Sequence, residues 1–151
     1  MSIPERWDKF SELPPNIKQE LARLVPLFER EGVQLAYLFG SLGQGQSGHD
    51  VDLAILTQGE PVFRLRGAIT ECLGTERVDL VDLRRAPPVL RFEILRTGQL
   101  LYAADYALSE RFELATLQVY RDTAWLRRRQ RVYLRERMEL WSSGKRPSNN
   151  V

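Results

Sequence analysis

Between Leu35 and Leu56 the chain reads LAYLFGSLGQGQSGHDVDLAIL, and this stretch carries the residue types and spacing best suited to chemistry. Gly40 lets the backbone approach a ligand closely. Ser41 adds a hydroxyl, and the amides after it stand at a helix start, where anions are stabilised. Gly43, Gly45 and Gly48 keep the following loop open. Asp50 and Asp52 then lie two apart on a strand, so both point to one face while Val51 and Leu53 take the other. Two carboxylates about 5 Å apart repel by roughly 3 kcal/mol at an effective dielectric of about 20. Mg²⁺ prefers oxygen ligands and usually enters with a substrate's phosphates, so it is the natural ion to offset that repulsion. A phosphate cradle beside a metal pair is the machinery for moving a nucleotide from a triphosphate. Such transfer depends on positioning and charge neutralisation, with one metal activating the attacking hydroxyl and a second stabilising the leaving pyrophosphate.

A neighbouring strand is expected to supply a third carboxylate. The run RVDLVDL at 77–83 offers Asp79 and Asp82. They differ by three positions, so a regular strand sends them to opposite faces and only one joins the cluster. Asp79, in mid-strand, is the better placed.

The elements that position these groups follow from periodicity and punctuation. Pro14-Pro15 opens a helical segment in which Ile17, Leu21, Leu24 and Phe28 share a face, with a kink or break expected at Pro26. Strands are expected at about 34–39, 51–56 and 77–83, with a short edge strand at 99–103. Helices are expected from Ser41, from Pro61 to Gly74 and from Pro87-Pro88 to Arg96. From Ser109 to Met138 there is neither Gly nor Pro. Phe112, Ala115, Val119, Leu126, Val132 and Leu140 suit a long helix or a helix pair there. Strands alternating with helices give a mixed α/β (α+β) fold, a small sheet flanked by helices. The expected division is a core with its N-terminal helix over 1–105, a helical extension over 106–141 and a flexible tail over 142–151.

At 151 residues the chain suits one core. No apolar run approaches the roughly 20 residues of a membrane span. Cys72 is the single cysteine, which excludes an intrachain disulfide and fits a cytoplasmic location. It shares a helix with Leu65, Ile69 and Leu73 and reads as packing. The net charge of +2 hides an asymmetry. Residues 1–110 hold 12 Lys/Arg against 16 Asp/Glu, whereas residues 111–137 hold 8 Arg against 3 acids. The cluster Arg127-Arg128-Arg129-Arg131 reads first as a solvated helix face and second as a contact for a partner or RNA. Tyr102, Tyr106, Tyr120 and Tyr133 read as core or interface residues, and Leu114, Leu117 and Tyr120 as a possible seam against a partner helix.

The run from Gly40-Ser41 to Asp50-Val51-Asp52 resembles the signature of the minimal nucleotidyltransferases of the DNA polymerase β superfamily. The resemblance covers about residues 30–138. Downstream, VDLVDLRRAPPVLRFEILRTGQLLYAAD, the FELATLQVYRD helix and the arginine-rich stretch are similar to the antitoxin branch of that group, the MNT partners of HEPN ribonuclease toxins. The resemblance implies a nucleotidyltransferase fold. It also implies an ATP- and Mg²⁺-dependent protein adenylyltransferase that AMPylates a tyrosine of the toxin and so silences it. Gly40 and Ser41 would bind the nucleotide, and Asp50, Asp52 and Asp79 would be the catalytic metal ligands for two ions. Asp79 would also help activate the acceptor hydroxyl. The implied partners are ATP and a HEPN toxin in a hetero-oligomer, with no membrane and no direct nucleic-acid binding. Two departures stand out. Eight residues separate Ser41 from Asp50, one or two fewer than the family usually has, and His49 stands where the family often has Ser. Two other readings compete: an antitoxin that acts by occlusion alone, and a nucleotidyltransferase with a small-molecule or tRNA acceptor. The second leaves little chain for an acceptor-shaping domain.

Overall fold

The computed structural model describes residues 13–144. Four strands build one mixed sheet in the order β3-β2-β1-β4. They are β1 (Leu35–Phe39), β2 (Val51–Leu56), β3 (Val78–Asp82) and β4 (Gln99–Ala103). The pair β1–β2 is antiparallel and pairs Phe39 with Asp52. The pair β2–β3 is parallel and pairs Asp52 with Asp79. β4 runs antiparallel to β1 at the far edge, as its polar start suggests.

Both faces of the sheet are covered. On one face Ala36, Leu38, Val51, Leu53, Ile55 and Val78 pack against α1 (Ile17–Leu21), α2 (Leu24–Arg30) and α4 (Arg66–Leu73). The expected break lies at Ala22 and Arg23, between α1 and α2. Pro26 thus falls in the first turn of α2, where its missing N–H leaves no bond unmade. A 3₁₀ turn at Val62–Leu65 leads into α4, which Gly74 ends at a φ of 69°. Cys72 packs against this core.

On the other face Leu35, Tyr37 and Ala54 meet α5 (Pro88–Thr97) and α6 (Tyr106–Asp122). The Asp105 side chain accepts from Ala107 N at 3.0 Å and caps the start of α6. Tyr37 is buried and its hydroxyl donates to Glu113 at 3.4 Å. Burial first, then the Glu113 charge and this hydrogen bond, push the phenol well above its ordinary 10.0.

The segment after residue 105 is a helix pair. α6 ends at Thr123, whose hydroxyl donates to Val119 O at 2.8 Å, and α7 spans Ala124–Ser142. Arg127 clasps the joint: it donates to Tyr120 O at 2.6 Å and stacks 3.6 Å over the Tyr120 ring. Phe92 stacks on Tyr120 with ring centroids 3.8 Å apart.

The expected apolar face of this segment needs correction. α6 turns Ser109, Phe112, Thr116 and Tyr120 inward, while Ala115 and Val119 face solvent. The inward side is anchored by Phe112 against the second core and by Tyr120 stacked on Phe92, with Ser109 and Thr116 buried between neighbours. α7 has no buried residue at all, and Leu126, Val132 and Leu140 are exposed. Leu114 and Leu117 are exposed too, whereas Tyr120 is held inside the joint. The expected tail lies, from residue 145, outside the described residues.

Two outcomes follow. Ile69→Ala, in the first core, is expected to cost about 2–5 kcal/mol in urea unfolding, and Met138→Ala on α7 less than about 0.5 kcal/mol. The Tyr37 phenol has a higher pKa folded than unfolded, so its contribution is complete below pH 10.0 and is lost as the pH rises beyond it. Urea midpoints measured from about pH 9 to about pH 11 should fall less steeply in Tyr37→Phe than in the unaltered chain.

Candidate active site

β1 delivers the chain to one end of the sheet, and it turns there through α3 (Gly40–Gly43). Gly40 sits at a φ of 69°, the left-handed region that disfavours a side chain. Its environment also excludes one. A Cβ on Gly40 would lie 2.2 Å from Asp52 Oδ2. The glycine therefore lets the loop backbone rest against the carboxylate, and the two halves of the Gly-Ser…Asp-x-Asp element touch.

The loop between α3 and β2 folds on itself. Gln46 N donates to Ser41 O at 2.9 Å and Gly45 N to Leu42 O at 3.1 Å. A Cβ on Gly48 would come 3.2 Å from Ser41 Cβ, so the loop returns beside its own start before reaching Asp50. Ser41 is half-buried at this mouth.

Asp50, Asp52 and Asp79 come together. Each offers a carboxylate oxygen such that the three oxygens lie within 4.8 Å of one another, and all three side chains are half-buried. The cause is register. Parallel pairing sets Asp52 beside Asp79, and the even spacing puts Asp50 on the same side as Asp52. Val51, Leu53 and Val78, of opposite parity, are fully buried in the first core.

Asp82 is not part of this group. It pairs in register with Ile55, three residues along β3, about 10 Å at the usual strand rise. Its Oδ1 instead accepts from Arg84 N at 3.0 Å and its carbonyl from Arg85 N and Ala86 N. Asp82 shapes the turn after β3.

Three oxygen donors at this separation suit a hard divalent cation such as Mg²⁺. His49 enters the site region through its backbone: its carbonyl accepts from Arg77 Nη1 at 3.3 Å. Arg77 was not legible as part of the site. An arginine at the start of an expected strand reads as solvated, yet this one is 3% exposed. Arg66 was missed as well. From α4 it reaches the outer edge of β3 and donates to Val78 O at 2.5 Å and Glu76 O at 3.1 Å.

A family model described as polymerase beta, nucleotidyltransferase matches residues 22–107, more than half of the chain. The chain belongs to the polymerase beta nucleotidyltransferase family. A curated relative, the protein adenylyltransferase MntA of Shewanella oneidensis, is 33% identical over 93 residues. That match covers 58% of this chain and 66% of the relative, just under two thirds of its length. Two solved structures share the nucleotidyltransferase fold. One is a tri-AMPylated Shewanella oneidensis HEPN toxin in complex with an MNT antitoxin, with a TM-score of 0.62 and 25% identity over 81% of this chain and 98% of that one. The other is a toxin–antitoxin with AMP-PNP, with a TM-score of 0.62 and 28% identity over 79% of this chain and 98% of that one. The small mixed sheet with its C-terminal helices is thus a nucleotidyltransferase fold.

Gly40→Ala adds a side chain where both the φ and Asp52 forbid it. Calorimetry is expected to show a loss of about 1–3 kcal/mol. Any nucleotidyl transfer should fall by about 10²-fold, the usual result of a misplaced reacting group.

Proposed function

We propose that this chain is an antitoxin enzyme that transfers AMP from ATP to a tyrosine of a cognate HEPN ribonuclease toxin. The observation that carries the reading is the Asp50–Asp52–Asp79 carboxylate cluster closed against Gly40. The relative named protein adenylyltransferase and the solved complexes with a HEPN toxin and with AMP-PNP supply the acceptor and the nucleotide.

In this reading the Gly40-Ser41 backbone and the Ser41 hydroxyl hold the triphosphate at the mouth of the loop. Asp50, Asp52 and Asp79 hold Mg²⁺, with two ions the expected number. Bound there, Mg²⁺ neutralises phosphate charge and stabilises the leaving pyrophosphate. Asp79 takes the proton of the acceptor tyrosine hydroxyl. The tyrosine oxygen forms a bond to the α-phosphorus as the α–β bridging bond breaks, releasing pyrophosphate. The geometry asks for no further nucleophile on this chain.

The core through residue 105 carries this chemistry, and the extension over 106–141 carries the toxin contact. α7 supports that division. Trp125, Leu134, Met138 and Trp141 are at least half exposed on a helix that has no buried residue. Isolated helices gain little stability in water without a packed face. The same observation favours the second reading, in which the extension silences the toxin by occlusion and transfer is secondary. Among the described residues no helix is long and apolar enough to cross a membrane. With the single Cys72, the proposed location is the cytoplasm.

The test is incubation with ATP labelled at the α-phosphate, Mg²⁺ and the toxin encoded beside this chain. Label is expected on a toxin tyrosine and should drop by about 10²-fold or more in Asp50→Asn with Asp52→Asn. An unlabelled toxin, with ATP bound normally, rejects the transferase. Full protection of cells by the double variant selects occlusion.

A further inference from the structure

Among the described residues, Arg77 is the one charged residue that is buried, at 3% exposure. A guanidinium is costly to desolvate, and a fold keeps one there only where charge and hydrogen bonds compensate. The position of Arg77 supplies the reason. Its Nη1 donates to His49 O at 3.3 Å, on the N-terminal side of Asp50. Its own carbonyl accepts from Val51 N at 2.8 Å, on the C-terminal side of Asp50. Two residues further along β3 stands Asp79. One residue therefore grips both neighbours of the first carboxylate and stands immediately before the strand that carries the third.

The grip is itself braced. Arg77 N donates to Thr75 Oγ1 at 3.1 Å, a buried hydroxyl that fixes the turn before β3. Arg66 holds the carbonyls on either side of Arg77 from the outer edge of the strand. The alternation is that of an edge strand: Arg77 O faces β2, and Glu76 O and Val78 O face outward, where α4 caps them.

We propose that Arg77 is a positioning residue for the metal triad, acting through the His49 carbonyl to fix Asp50 against Asp52 and Asp79. Its fixed positive charge also reduces the mutual repulsion of the carboxylates. The inference rests on the reading of the triad as a metal site. It assigns Arg77 no contact with substrate or with the reacting atoms.

The test compares Arg77→Met and Arg77→Lys with the unaltered chain. Mn²⁺ binding is followed by electron paramagnetic resonance, and kcat and the KM for ATP by label transfer. Arg77→Met, folded by circular dichroism, is expected to bind Mn²⁺ and turn over about 10- to 100-fold less well, with the KM for ATP little changed. Arg77→Lys keeps a cation able to reach the His49 carbonyl and should recover most of both. Unchanged Mn²⁺ binding in a folded Arg77→Met overturns the proposal. So does equal loss of Mn²⁺ and ATP binding in both variants, the behaviour of a core filler. If Arg77→Met does not fold, Arg77→Lys carries the test, and a folded Arg77→Lys that has lost Mn²⁺ binding by about tenfold overturns it. Failure of the unaltered chain itself to bind Mn²⁺ would reject the metal site rather than the role of Arg77.

Discussion

Three carboxylates within 4.8 Å repel one another, and much of the local architecture holds them together against that repulsion. The parallel register of β2 and β3 does most of it. A slip of one residue would turn Asp79 into the core and Val78 into the site, exchanging a buried valine for a buried charge. The fully buried Val51, Leu53 and Val78 forbid that slip, because their parity is opposite to that of the acids. Hydrophobic burial on one face of the sheet thus fixes polar geometry on the other. Gly40 adds the complementary restraint, bringing the loop against Asp52 where any side chain would push it away.

The helices divide the remaining work. α1, α2 and α4 seal the face that sets the register, and α4 also sends Arg66 around the edge of β3. α5 and α6 cover the other face around Tyr37 and Ala54 and leave the acidic end of the strands half-buried. α7 belongs to neither layer. It is clasped at its base by Arg127 and Tyr120, and its apolar side chains remain in solvent. The three carboxylates thus sit on a rigid sheet, and the exposed apolar side chains sit on a helix outside it.

Much of this was legible in the sequence. β2 and β4 fall where alternation and turn residues put them, and Gly74 closes α4 as expected. Strand parity admitted only one of Asp79 and Asp82, the mid-strand position favoured Asp79, and the register sets Asp79 beside Asp52. What could not be read is tertiary. Apolar periodicity in α6 pointed to Phe112, Ala115 and Val119, whereas the stripe its neighbours bury is half polar. The inward stripe includes Ser109, whose hydroxyl is satisfied by Tyr106 O at 2.7 Å. Arg77 and Arg66 were invisible for a related reason. A charged residue beside an apolar run looks solvated until the fold shows which carbonyls it must hold.

The central claim is that Asp50, Asp52 and Asp79 form a single metal site facing the phosphate loop. Crystals grown with Mn²⁺ and a non-hydrolysable ATP analogue test it most directly, through the anomalous scattering of the metal. The account predicts an anomalous peak ligated by all three carboxylates, with the triphosphate reaching it from the Gly40-Ser41 side. Nucleotide bound at that loop with the metal held elsewhere, or by a set that leaves out Asp79, would contradict it.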